Sequence, residues 1–376
     1  MTLSGIYIGS NLEAKAGINF VITDMVLQLM ASGTGSAVGS AGIEVLANTT
    51  ITLDGNGRLY DDDAGTVNES TSKVITPGAV RYIYFRLPSG LANLTIVSAI
   101  DRLYRIESFS SPVNAPYVNQ FDIRNIPPSM YRLVNGSTNY ISGTIASLKP
   151  FFTSIWVMGN NTITGDLNSL RSSFNLQLAI GGNNTISGSL GDIPSALVHF
   201  QLQGNNTVTG DLSMLKPALY HFWIQGTGAI SGNLNALPRN LNLFGVINLS
   251  NTVTGDLANL PSTLTYFRIQ GNHTLYGSLN SLPSGIINFD FVNGAGPFSY
   301  TLGKSWNPSM NYFRFNPGSN GLSSTQMDNL IIDLNNIAWA GTSKALKLQG
   351  ANAARTAASN AAVTSLQGKG VVVTTN

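Results

Sequence analysis

The phrase NNTVTGDLSMLKP, from Asn205 to Pro217, returns almost unchanged as NTVTGDLANLP from Asn251 to Pro261. Aligned on its glycine, it marks Gly143, Gly165, Gly188, Gly210, Gly232, Gly255 and Gly277, each 22 or 23 residues after the one before. Periods of that size belong to solenoids, in which a unit too small to hide its own apolar side chains stacks on its neighbours to build one shared interior. At 376 residues the chain is too long for one ordinary core, so a repeat array with flanking domains suits it.

One unit, from Leu257, reads LANLPSTLTYFRIQGNHTLYGSL. Its apolar residues fall two, three or four apart, which fits a coil with one short strand per turn rather than a continuous helix or strand. LTYFRIQGN is that strand, with Leu264, Phe267 and Ile269 inward; Leu197, Phe200 and Leu202, then Leu219, Phe222 and Ile224, Leu241, Phe244 and Val246, and Ile286, Phe289 and Phe291 repeat the pattern. The recurring glycine reads as a close-packed or positive-φ scaffold position, not a ligand site.

These leucines, the asparagine turn and the L-x-G-x-L half resemble the leucine-rich repeat family, and within it the plant-type subclass. The resemblance covers Tyr117 to Asn316 and implies a curved, mostly β solenoid whose parallel sheet lines the concave face. It also implies an asparagine ladder that satisfies turn backbone, expected to break where Thr227-Gly228 lacks the asparagine. Matches to Asn-x-Thr beginning at Asn160, Asn183 and Asn205 are read as by-products of the turn.

Ends of a solenoid need covering. After Asn316, SSTQMDNLIIDLNNIAW predicts a capped helix, KALKLQG a strand, NAARTAASNAAVTSLQGKG a second helix and VVVTT a last strand. Upstream, alternating segments between Ile43 and Phe109 predict a small antiparallel β domain abutting a first repeat turn, VNQFDIRNIPPSM. ASGTGSAVGSAG reads as a linker behind a docking segment. The expected organisation is a docking and linker segment (1–41), a small β domain (42–112), a leucine-rich repeat array (113–316) and an α/β C-terminal cap (317–376).

Twenty Lys and Arg against eighteen Asp and Glu leave no electrostatic footprint for nucleic acid. The longest apolar stretch, Ile18 to Ala31, is broken by Thr23, Asp24 and Gln28, so no membrane insertion is expected, and the opening residues do not resemble a secretory signal. Absence of cysteine rules out disulfides and thiolate sites. His199 and His221 fall at equivalent positions of adjacent turns, and His273 replaces a turn asparagine; two histidines without a third ligand argue against a metal site. Asp54, Asn56, Asp61, Asp62 and Asp63 offer oxygen ligands for calcium, although their spacing is not that of an EF-hand and a solvated turn is the simpler account. No triad or carboxylate pair stands out: the strand-exposed acids Asp122 and Asp290 lie many turns apart. The chain is expected to be no enzyme and to carry no cofactor.

Residues flanking the inward positions point outward. Those that suit a ligand are Trp156, Met158, His199, Gln201, His221, Trp223, Gln225, Tyr266, Arg268, Tyr312 and Arg314. Aromatic rings beside amides suit sugar faces and hydroxyls, and equally a protein hot spot; alternatively Trp156 and Trp223 stack along the sheet or lie under another subunit. GIYIGS, ITPGAVRYIYFRLPSG and LQGANAARTAASNAAVTSLQGKGVVVTTN resemble leucine-rich-repeat adhesins and fibre-like virion proteins of bacteriophages. That resemblance implies a virion-surface protein docked on other virion proteins through its N-terminal segment and facing a host-surface glycan or protein. A decoration subunit whose concave face packs on other subunits, and a bacterial cell-surface repeat protein, are the alternatives; a homo-oligomer is compatible with each of the three readings.

Overall fold

The computed structural model describes strand backbones between Asp24 and Asp122 and residues 132–376 apart from 149–151 and 248–249, with side chains chiefly from Ile141 onward. Two compact units are present, Met1–Ile186 and Ser187–Asn376.

In the first unit, two four-stranded sheets are antiparallel throughout. One has the order Asp24–Ala31, Gly90–Val97, Thr49–Leu53, Ser72–Ile75; the other runs Arg58–Tyr60, Arg81–Leu87, Ala37–Glu44, Arg102–Phe109. The small β domain is therefore present, but it draws on more chain than expected. Ala37–Glu44, which takes up the second half of the supposed linker, is an inner strand paired on both sides. Gly, Ser and Ala have weak strand propensity, and non-local pairing overrides it here. The docking residues before Asp24, and the calcium candidates Asp54, Asn56, Asp61, Asp62 and Asp63, lie outside the described residues.

The first repeat turn also differs from expectation. Arg132–Asn135, not Gln120–Asp122, pairs with Ser154–Val157 in the main ladder. Gln120–Asp122 is parallel to Tyr140–Ser142, so Phe121 is in register with Ile141 in the L-x-G-x-L ladder and Asp122 does not belong to the ligand-facing row.

The second unit carries two parallel ladders. The longer keeps one register from His199 through His221, Leu243, Tyr266, Asn288, Tyr312 and Ala345 to Val372. The shorter joins Asp211 to Ser231, then Gly232 to Val253, Gly255 to Leu275 and Gly277 to Phe298. This is a leucine-rich repeat solenoid: register, not merely composition, repeats. The α/β cap follows as expected, with helices Ser324–Asn335 and Asn360–Gly368 and strands Ala345–Leu348 and Val372–Thr375 continuing the ladder. No helix among the described residues is long and apolar enough to cross a membrane.

Each inward position is buried. Phe200, Phe222, Phe244, Phe267, Phe289 and Phe313 form a column of stacked rings with successive centroids 5.6, 5.9, 5.6, 5.5 and 5.0 Å apart. Besides the area each ring hides, offset stacking adds about 0.5–1.5 kcal/mol per pair.

Turn chemistry explains the quoted phrase. All seven aligned glycines have φ between 112° and 139°, which a side chain rarely adopts. The residue after each, Thr144, Asp166, Ser189, Asp211, Asn233, Asp256 or Ser278, caps a one-turn 3-10 helix by accepting from a backbone N–H two residues on. Glycine and cap interlock between turns: a Cβ at Gly277 would collide with Asp256 Oδ1, and one at Gly255 would meet Asn233 Oδ1.

The asparagine ladder is present. Asn161 Oδ1 accepts from Ile141 N–H at 3.0 Å while its Nδ2 donates to Gly181 O at 2.9 Å. Asn206 and Asn251 donate in the same way to Gln225 O and Gln270 O. At Gly228 the side-chain rung is missing, and Thr227 N–H bonds directly to Asn206 O at 2.8 Å. His273 fills the asparagine place that follows Asn251, with Nε2 3.0 Å from Val292 O.

Candidate functional site

Between inward residues of the second unit's long ladder, the intervening side chains emerge in three rows. His199, His221, Leu243, Tyr266, Asn288 and Tyr312 form one; Gln201, Trp223, Gly245, Arg268, Asp290, Arg314 and Lys347 form the middle; Gln225, Ile247, Gln270, Val292 and Asn316 lie in the third. Each named candidate from His199 to Arg314 falls in these rows. Trp156, 43% exposed, and half-buried Met158 belong to the first unit, where Trp156 is in register with Val134.

Trp223 is not a bare platform. Its indole lies across the strand of Gly245, where a Cβ would overlap ring atom Cε3. It meets Tyr266 edge-on, with centroids 5.7 Å apart, and the Arg268 guanidinium lies 5.5 Å from its centroid. A guanidinium so placed is attracted by the ring quadrupole. Trp223 Nε1–H is buried with no partner among the described residues.

Asp290 organises the next three rungs. Its carboxylate is 2.5 and 2.9 Å from Arg314 Nε and Nη2, a bidentate pair, and 3.1 Å from Arg268 Nε. The Gln270 amide turns Oε1 toward both guanidinium groups, 2.7 Å from Arg314 Nη2 and 3.0 Å from Arg268 Nη2, because the opposite orientation would face N–H against N–H. Burial opposes the Arg314 charge, but the Asp290 hydrogen bond and carboxylate outweigh it and raise its pKa. Burial, then the Asp290 charge, push the Tyr312 hydroxyl upward. Lys347 Nζ lies 5.7 Å from the Tyr312 ring centroid.

His199 and His221 are in contact, with ring centroids 4.3 Å apart and edge to face, and Tyr220 stacks on His221 at 4.9 Å. Burial lowers both pKa values, and His199 lowers that of His221 further. Among the described residues no three His, Cys, Asp or Glu side chains come together as a metal site. His273, away from this face, is held neutral: burial depresses its pKa to about 4 against the smaller opposing effect of Val292 O.

A pocket of about 210 Å³ opens beside the third row, lined by Gly204, Asn205, Gln225, Gly226, Thr227, Ile247 and Gln270. A larger cleft of about 560 Å³ lies between the loop Gly303–Pro308 and the end of the first cap helix. Its polar groups serve the fold: Asp333 Oδ2 accepts from Tyr300 Oη at 2.6 Å and Gly303 N–H at 2.7 Å, and Lys304 Nζ donates to Asn280 O and Leu282 O.

Gly245, Gln270 and Asp290 are read from the sequence as outward residues but not as ligand candidates, and Lys347 is not placed on the face at all. Extending the repeat register through KALKLQG places Lys347 in the row of Arg268, Asp290 and Arg314, so the signal for it was present. The Trp223–Gly245 fit depends on where the indole turns, which one strand does not reveal.

No protein-family model matches the chain, and no curated protein matches it. Among solved structures it is similar to a plant peptide hormone receptor, RGFR1 in complex with RGF2, at 16% identity and a TM-score of 0.37. The similarity covers 67% of this chain and 48% of the other, so the chain spans about half the length of that receptor chain.

Proposed function

We propose that the chain is a non-enzymatic recognition protein of a virion surface, held by its N-terminal segment and presenting the outward face of its second unit to a host-surface protein. The fixed Trp223–Tyr266–Arg268 cluster carries this reading. Trp, Tyr and Arg dominate protein hot spots, and side chains immobilised before binding lose less entropy on docking. The sugar alternative is less well supported because stacking needs an open ring face, and Trp223 has the Gly245 strand on one side and Arg268 against the ring. The virion setting is supported by the phrase-level likenesses to phage fibre proteins.

The full chain and its Trp223→Ala variant can be screened in parallel on a random peptide display library and on a glycan array. Peptide ligands that lose affinity for the variant are the expected result. Glycan ligands alone, or peptide ligands indifferent to the substitution, would sink the proposal.

A further inference from the structure

Only 10% of the chain is charged, yet the middle outward row places Arg268, Asp290, Arg314 and Lys347 on four consecutive rungs. Asp290 lies between the two arginines and bonds to both. Arg314 and Lys347 are directly cross-strand, like charges at a position where like charges destabilise a sheet. The outward rows from His199 to Lys347 contain no other acid. Three cations against one carboxylate leave an excess of two positive charges over a short span.

We infer that this segment of the face binds an acidic stretch of polypeptide, whose carboxylates supply the counter-charge missing at Lys347 and only partly met at Arg268. The inference rests on the protein-binding reading of the face and specifies the partner's chemistry. Charge complementarity selects an anion. The rings select a peptide over an acidic polysaccharide: Trp223 is engaged by Arg268 and Tyr312 by Lys347, so these aromatics hold cations in place instead of offering open faces to sugars. A planar guanidinium or an ammonium fixed in this way recognises a carboxylate with little further ordering.

The test uses the full chain and a fluorescein-labelled twelve-residue peptide of alternating Glu and Leu, read by anisotropy at low and moderate salt. Lys347→Gln removes one uncompensated cation and leaves the Asp290 pairs intact, and its thermal melt confirms folding. Salt-sensitive binding that weakens roughly fivefold in Lys347→Gln, with Lys347→Glu shifting preference to a Lys/Leu peptide, is expected. Failure of the acidic peptide while a library peptide still binds through Trp223 overturns this inference and leaves the face as a protein site. Hyaluronan binding through Lys347 in place of peptide binding overturns it as well. Loss of every Trp223-dependent ligand defeats the underlying reading separately.

Discussion

The indole of Trp223 occupies the space that a side chain at residue 245 would need. A Cβ on Gly245 would lie 2.2 Å from ring atom Cε3, far inside the contact distance of two carbons, so the glycine is a consequence of the tryptophan on the neighbouring strand. Gly245→Ala should therefore destabilise the second unit by about 1–3 kcal/mol, the range for overpacking a close-fitted site. It should also shift indole emission, because Trp223 is displaced while Trp306 and Trp339 stay buried in their own surroundings and Trp156 belongs to the first unit. The Trp223→Ala/Gly245→Ala pair should cost less than the two single changes added together, since the clash disappears with the ring. Additive costs in urea titrations would contradict the fit.

Acid should weaken the array through His273. Unfolded, this histidine takes up its proton near 6.5; in the fold it resists until about 4, because the protonated ring would be buried. Its stabilising effect is then complete above pH 6.5 and is lost as pH falls toward 4, amounting to about 2–3 kcal/mol between pH 7 and pH 4.5. His199 and His221, also lowered, add slope of the same sign. His273→Asn keeps a donor for Val292 O, as Asn251 does for Gln270 O, and should flatten the curve. An unchanged slope in the variant would place the acid sensitivity elsewhere.

What the sequence made legible was whatever the period repeats. Once the glycines set the register, Phe200 to Phe313 had to share one column and Trp223 and Arg268 one face, since side chains alternate along a strand. The 3-10 caps were equally open to view, because every residue after the glycine is Thr, Asp, Ser or Asn. Less accessible were features decided between distant strands. Ala37–Glu44 is a strand because Arg81–Leu87 and Arg102–Phe109 pair with it, and no local pattern announces that. The shared carboxylate of Asp290 needs side-chain directions from three rungs at once, which strand alternation alone does not supply.

Asp290→Asn should cost more than Arg268→Gln. The Asp290 side chain is 7% exposed and faces two guanidinium groups that are 30% and 25% exposed, so removing its charge strands two partly buried cations, whereas removing one arginine leaves the carboxylate its bidentate partner. A buried pair broken from one side loses about 3–5 kcal/mol; with the arginines partly solvated, about 1–3 kcal/mol is expected for Asp290→Asn and under about 1 kcal/mol for Arg268→Gln. Denaturation midpoints decide the order, and equal costs would show that Asp290 does not hold the two arginines together.

The interlock between Gly277 and Asp256 can be separated from backbone strain by a second glycine. Gly277 has φ +113° and its missing Cβ would collide with Asp256 Oδ1, the atom that accepts from Ala258 N–H at 2.9 Å. Gly303 has nearly the same φ, +109°, but nothing lies within 4 Å of its would-be Cβ. Gly303→Ala thus measures the conformational penalty alone, about 1–2 kcal/mol. Gly277→Ala adds displacement of the cap, about 1 kcal/mol more, and should total about 2–4 kcal/mol. Asp256→Ala in the Gly277→Ala background removes the obstacle, so the pair should cost less than the sum of its parts. Equal penalties at Gly277 and Gly303, together with additivity in the pair, would mean that φ alone explains the repeated glycine and that neighbouring turns are not coupled through their caps.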